Sequence, residues 1–215
     1  MITIYTIRHG ETDGNKAGEL QGWTDKPLNE KGWDLAVITA KALSDVHFDV
    51  VYSSPLKRAL ETAQIMIQRN SHKASIITDD RLKELHFGEW EQRCVLPGKT
   101  NIPLDNIKAF YNDPYNFQNA SDGESINHLC ERTRDFFLEI INNPANEDKT
   151  ILISTHGIAV RGFLNNIYKN KLDFWHGGLP DNCSVNVIEV TDGVAELIVD
   201  DKIFYDKDLS WNPYR

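Results

Sequence analysis

Three apolar runs in this chain each end on a histidine or an arginine beside a turn, and that recurrence narrows the folds open to it. The first, Ile2-Thr3-Ile4-Tyr5-Thr6-Ile7, is β-branched and aromatic and reads as a mostly buried strand that ends on Arg8 and His9. Gly10 follows at once, so the backbone there can take a positive φ and turn sharply, leaving both side chains at the strand's carboxyl end. The second run, Phe48 to Tyr52, leads into Ser53-Ser54-Pro55-Leu56-Lys57-Arg58, and the third, Ile151 to Thr155, leads into His156-Gly157. Three strand-to-helix junctions therefore deliver a histidine or arginine to one edge of one sheet. In open α/β sheets that edge is where ligands sit.

A chain of 215 residues can form a single α/β domain with a sizeable core, and 40% hydrophobic with 26% charged residues is the balance of an ordinary soluble globule. The formal charge of −9 argues against broad nucleic-acid binding, which needs a basic face. An anionic small molecule remains open, given a local basic pocket such as Arg8, Arg58, His9 and His156 could form. No run approaches the length of a membrane span, and the start has neither a basic leader nor a small-residue cleavage site, so no membrane partner is expected. Cys94, Cys130 and Cys183 are odd in number and far apart, which suggests a reducing compartment; a cytoplasmic location follows as the expectation.

Along the chain, Glu11 to Leu28 reads mainly as a loop over the strand edge. Asn29 caps a helix to about Leu43. Ser54 stands where an N-cap belongs and Pro55 where a first helical residue belongs, predicting a helix to about Arg69 with Arg58 in its first turn, beside free N–H groups suited to an anion. Ile76 and Ile77 mark a strand. From Arg93 to Asp122 the periodicity breaks down among Pro, Asn, Asp and aromatics, which reads as an insertion whose aromatics serve first to anchor it to the body. Ser121 to Ser125 opens a helix to near Asn143, and Gly157 begins one reaching about Tyr168. Cys183 to Val190 and Val194 to Val199 read as two strands joined at Asp192-Gly193.

These residues also carry a family resemblance. Arg8-His9-Gly10-Glu11-Thr12, then Asn15 and the stretch from Leu20 to Gly32, resembles the opening of the histidine phosphatase (phosphoglycerate mutase-like) superfamily. Tyr52 to Ala63, Leu82 to Glu91, and Ser154-Thr155-His156-Gly157 are similar to its later blocks, and they occur in the same order. Asn182-Cys183-Ser184-Val185 resembles its last element. The chain departs from the pattern at His86, where an acidic residue is common, and at Gln92, where glycine is common. The resemblance implies an α/β fold: a three-layer α/β/α sandwich with a mostly parallel central sheet, one domain over 1–215, and a small cap insertion over the carboxyl edge at about 92–122.

It implies a metal-independent phosphatase acting on a small phosphorylated metabolite, with no cofactor. A phosphomonoester brings about two negative charges, which Arg8 and Arg58 would neutralise with forked hydrogen bonds. His9, neutral at one ring nitrogen, would attack phosphorus and form a phosphohistidine. His156, protonated once phosphate is bound, would supply a third positive contact. Glu84, shielded between Leu82 and Leu85, would protonate the departing alkoxide and then activate water. Asn15, Gln21, Gly22 and Gly157 complete the implied substrate contacts, with specificity expected in Trp23 and its neighbours and in the cap.

Three other readings stand beside this one. A phosphoglycerate mutase would place further basic residues in the insertion, where only Arg93, Lys99 and Lys108 are found. A non-catalytic phosphate-binding module would have lost a nucleophile, arginine or glutamate. A binuclear metallohydrolase would need a richer set of closely spaced ligands than His47, His72, His86, His128 and His176 provide.

Overall fold

The computed structural model describes residues 1–70, 74–96 and 98–209. Six strands form one sheet: β1 (Ile2–Arg8), β2 (Val50–Ser53), β3 (Ile76–Thr78), β4 (Thr150–Thr155), β5 (Val185–Thr191) and β6 (Val194–Lys202). Their order is β3-β2-β4-β1-β5-β6. The first four run parallel, while β5 pairs antiparallel with both β1 and β6. The sheet is thus mostly parallel, as expected, with an antiparallel pair at one edge. Asp192 and Gly193 turn that pair with φ of 52° and 77°, the left-handed conformations of a tight hairpin.

Alternation along the strands assigns each face its own core. On one face Ile7, Val51, Leu152 and Val185 pack with Leu35, Ala36, Ala63 and Met66 from α2 (Glu30–Ala42) and α3 (Lys57–Arg69). On the other, Ile4, Ile151, Ile153 and Val190 pack with Phe136, Ile140, Val160 and Phe163 from α5 (Ile126–Asn142) and α6 (Gly157–Leu164). Each of the Ile, Leu, Val, Met and Phe side chains among them contributes about 1.5–3 kcal/mol when fully buried. Two helical layers enclosing a sheet make the α/β/α sandwich.

A third cluster lies above the carboxyl edge. Phe110, from α4 (Leu104–Asn112), packs there with Phe87, Trp90, Phe117, Leu129 and Trp175. The 92–122 segment is therefore not irregular throughout: its periodicity is carried by one helix and a 3-10 turn, Pro114–Asn116.

Several boundaries differ from the sequence reading. Within the expected loop, Asp13–Ala17 forms a short helix, α1, with Thr12 and Asn15 in a reciprocal capping box. Helix α3 begins at Lys57, and Leu56 at its N-cap makes no side-chain cap bond, so Ser54 and Pro55 precede the helix. α5 begins after Ser125, whose side chain accepts from the His128 N–H, and α6 ends at Leu164. β6 runs three residues beyond Val199 because its pairing with β5 persists to Lys202. Among the described residues no helix is long and apolar enough to cross a membrane.

Candidate active site

The junctions anticipated from the sequence meet at the carboxyl edge. Backbone bonds extend the pairing past the strands, from His9 N–H to Thr155 O (2.9 Å) and from Ser54 N–H to Ser154 O (3.0 Å). They draw the ends of β1, β2 and β4 around a cleft lined by Arg8, His9, Asn15, Gln21, Gly22, Arg58, Glu84 and Gly157. Of the residues expected to act on or contact the phosphate, His156 alone does not line it. Fully buried, it stands behind His9 with the two rings edge to face at 5.2 Å.

The turn after His9 is not made by a positive φ. Gly10 is absent from the left-handed region among the described residues. It is required by close approach: a Cβ there would lie 2.4 Å from the carbonyl oxygen of Gly32, in the first turn of α2. The Gly10 carbonyl accepts from His9 Nδ1 at 2.6 Å, which places the proton on Nδ1 and leaves the Nε2 lone pair free. Burial, with the Arg58 and Arg8 charges, holds His9 well below the ordinary histidine range. The ring is neutral at neutral pH, as a nucleophile must be.

Arg58 is buried and already fastened. Its Nη1 and Nη2 donate to the carbonyls of Thr24 (2.8 Å) and Gly22 (2.7 Å), and its Nε donates to His156 Nδ1 (3.1 Å). These bonds use three of the five guanidinium N–H groups and leave two. Burial pulls its pKa down to about 10, with Glu84 and Asp25 opposing, so the charge persists at neutral pH. Glu84 acts on it through its charge without a direct bond.

The hydrogen bonds around His156 are those of a neutral ring. Its Nδ1 accepts from Arg58 and its Nε2 lies 2.8 Å from the Ser54 hydroxyl, so the ring is neutral and holds Arg58 in place. Burial, reinforced by Arg58 and His9, keeps it well below the usual histidine range. The hydroxyl of Ser54 thus serves His156 and the Leu56 N–H (3.3 Å) rather than capping α3.

Arg8 donates from Nη1 to the Pro180 carbonyl, while its buried Nε has no partner. An unpaired buried donor beside a second guanidinium and a free imidazole nitrogen suits an anion. Gly157 lies against it: a Cβ there would meet Leu179 Cδ2 at 3.1 Å and Arg8 Nε at 3.4 Å. Glu84 is bound by backbone N–H groups: Oε1 accepts from Leu85 and Ala159 (both 3.0 Å) and Oε2 from Ile158 (3.1 Å). The start of α6 therefore fixes this carboxylate beside Arg58.

Sequence reasoning missed the supports around these groups. Arg132 donates to the carbonyls of Arg81 (2.7 Å), Lys83 (2.7 Å) and Glu84 (3.0 Å) and pairs with Glu124, pinning the segment that carries Glu84. Asn182 Nδ2 donates to the His9 carbonyl at 2.9 Å. Asn15 Oδ1 accepts from the Thr12 N–H (3.1 Å), so the residue both caps α1 and lines the cleft. Trp23, expected to read the substrate, is 42% exposed and outside the cleft lining; its Nε1 donates to the Glu84 carbonyl and its ring lies on His86. From the cap, Phe110 and Tyr111 do line the cleft, beyond their anchoring role. Among the described residues no three His, Cys, Asp or Glu are grouped to hold a metal ion; His72 lies outside them.

Two depressed histidines make stability depend on pH. Above about 6.5 both rings are neutral folded or unfolded; below it the unfolded chain takes up protons that the folded site refuses, so stability falls with pH until the folded pKa is reached. Each ring is expected to cost about 1.4 kcal/mol per pH unit in that window. Urea midpoints at pH 7 and 5.5 for the protein and for His156→Asn check this: the variant should lose less on acidification, and equal losses would contradict it.

Known proteins share this chain's pattern and its fold. The pattern of the histidine phosphatase superfamily (branch 1) matches residues 4–199. A metal-independent phosphoserine phosphatase of Arabidopsis thaliana is 34% identical over 190 residues, 88% of this chain and 76% of that protein. Bacillus stearothermophilus YhfR superposes with a TM-score of 0.83 at 31% identity, covering 94% of this chain and 97% of that one. A phosphoserine phosphatase of Entamoeba histolytica, solved with 3-phosphoglyceric acid, gives a TM-score of 0.79 at 27% identity over 97% of this chain and all of that one. Blocks in order, a shared fold and a match over nearly the whole length lead to one conclusion: the chain belongs to the histidine phosphatase superfamily.

Proposed function

We propose that this histidine phosphatase hydrolyses a small phosphomonoester in two displacements on His9. The observation that carries the reading is the tautomer of His9: its Nδ1 proton is held by the Gly10 carbonyl and its Nε2 lone pair is free between two guanidiniums. In the first displacement Nε2 attacks phosphorus, the P–O ester bond breaks, and Glu84 passes a proton to the departing alkoxide. The positive charge gained by the phosphorylated ring is stabilised by its Nδ1–H bond to Gly10. In the second, water attacks phosphorus, the P–N bond breaks, and Glu84 recovers the proton. Arg8 and Arg58 neutralise the phosphoryl oxygens in both steps, and His156 acts through Arg58 as its neutral support. Because the guanidiniums supply that positive charge, no metal ion is required by the scheme.

Relatives named as phosphoserine phosphatases support hydrolysis, as does the lining of the cleft, in which Arg8 and Arg58 are the only lysine or arginine side chains among the described residues. A mutase must grip a second anionic group, and none of Arg93, Lys99 and Lys108 reaches the cleft. The test is phosphate release from a panel of phosphomonoesters with EDTA present. Turnover unaffected by the chelator is expected. Silence with every ester, together with interconversion of 2- and 3-phosphoglycerate after priming with bisphosphoglycerate, would replace this reading by the mutase.

A further inference from the structure

Two of the carbonyls that fasten Arg58 belong to a segment, Gly22 to Thr24, that is itself gripped from the far side by a carboxylate outside the cleft lining. Glu91 Oε1 accepts from the Trp23 N–H at 2.7 Å, and its Oε2 accepts from the Thr24 N–H at 2.7 Å and the Thr24 hydroxyl at 2.6 Å. The Gly22 carbonyl and the Trp23 N–H are the two ends of one peptide group. That group stands between opposite charges: its oxygen accepts from Arg58 Nη2 and its nitrogen donates to Glu91. Each hydrogen bond polarises the peptide in favour of the other, so the two strengthen together.

The backbone is shaped for this approach. Gly22 has a φ of 49°, and a Cβ on it would lie 2.1 Å from Glu91 Oε1, so a side chain at position 22 would push the carboxylate away. Glu91 follows the 3-10 turn Gly88–Trp90, and its side chain is only 13% exposed. His86 Nε2 lies 3.6 Å from Oε1, beyond hydrogen-bond range, so the backbone N–H groups are the closer partners. The Glu91 charge also favours the Arg58 cation.

We infer that Glu91 is a positioning residue of the reaction. Through the Gly22–Trp23 peptide it fixes the plane of the Arg58 guanidinium, and with it the direction of the two N–H groups left for phosphoryl oxygens. The inference rests on the hydrolase reading above, in which Arg58 neutralises those oxygens, and adds the residue that aims it. A carboxylate on backbone N–H groups is commonly no more than a loop anchor. Glu91 differs in that the peptide it grips is the one Arg58 grips.

The experiment compares kcat/KM for Glu91→Gln and Glu91→Ala, on an ester that the parent turns over, alone and in the Arg58→Met background. An amide at position 91 accepts from one N–H but turns its own donors on the other. Each single variant is expected to lose about ten- to a hundredfold, the factor carried by one charge-assisted hydrogen bond, and one folded variant suffices. Once Arg58 is methionine, the same change should cost no more than about twofold. Glu61→Gln is the control for a loosened loop: Glu61 accepts from the Leu28 N–H (2.8 Å), further along the same connection, and touches neither Arg58 acceptor. It should stay within about threefold of the parent. A folded Glu91 variant within about twofold of the parent, losses that multiply with Arg58→Met, or an equal loss in Glu61→Gln would each overturn the inference and leave the hydrolase standing. A parent that hydrolyses no ester would remove both.

Discussion

His9→Ala is expected to lower the rate of phosphate release by at least about four orders of magnitude, the scale on which removal of a covalent nucleophile acts. The loss should fall on kcat. Arg8 and Arg58 remain, so inorganic phosphate should bind the variant with an affinity within about tenfold of that of the parent, a range set by one lost hydrogen bond. The turn itself should survive, because it is held by the packing of Gly10 on Gly32 and by the Asn182 bond to the His9 carbonyl, neither of which uses the imidazole. Rapid-quench trapping of an acid-labile, base-stable phosphoprotein in the parent, and its absence in the variant, gives a second readout. An enzyme still active without His9 would eliminate the phosphohistidine scheme.

Arg58→Met should damage both activity and stability. The methionine fills much of the space but leaves the Gly22 and Thr24 carbonyls and His156 Nδ1 without their donor. Buried polar groups left unsatisfied cost about 1–3 kcal/mol each, so thermal unfolding should shift down by several degrees or more. Loss of one of two phosphate-neutralising charges should reduce kcat/KM by about three orders of magnitude, in the range seen when a preorganised donor to a transition state is removed. Arg58→Lys tests the geometry: an ammonium restores charge but cannot span three acceptors and a phosphate from one plane, so it should recover little. A lysine variant within tenfold of the parent would show that charge alone suffices.

The sheet and the phosphate end were legible because their signals are local. Apolar runs such as Ile151 to Thr155 define strands, and the chemistry-bearing residues follow them directly in the chain. What escaped depends on partners remote in sequence. Ser54-Pro55 has the form of a helix start, yet the hydroxyl is taken by His156, 102 residues away, and α3 starts later. Gly10 reads as a conformational requirement, whereas the constraint is the backbone of α2 lying against it. That His156 Nδ1 faces an arginine donor is likewise visible only in the fold. Helix α4 was hidden because Pro103, Asn106 and Asn112 break the polar pattern while Leu104, Ile107 and Tyr111 keep a helical spacing. Arg132 carried no signal at all, since its partners are backbone carbonyls and a glutamate eight residues back.

The three apolar clusters divide the molecule's labour in a way that bears on how such a chain can change over generations. The two that sandwich the sheet set the positions of Arg8, His9, Arg58 and His156, whereas the third holds the cap and the far wall of the cleft. Val95, Ile102 and Ile107 line the wall under the cap, away from the strands that aim His9. The two halves of the cleft are therefore packed by separate clusters, so a substitution within the cap need not displace the strand ends that carry His9 and Arg58.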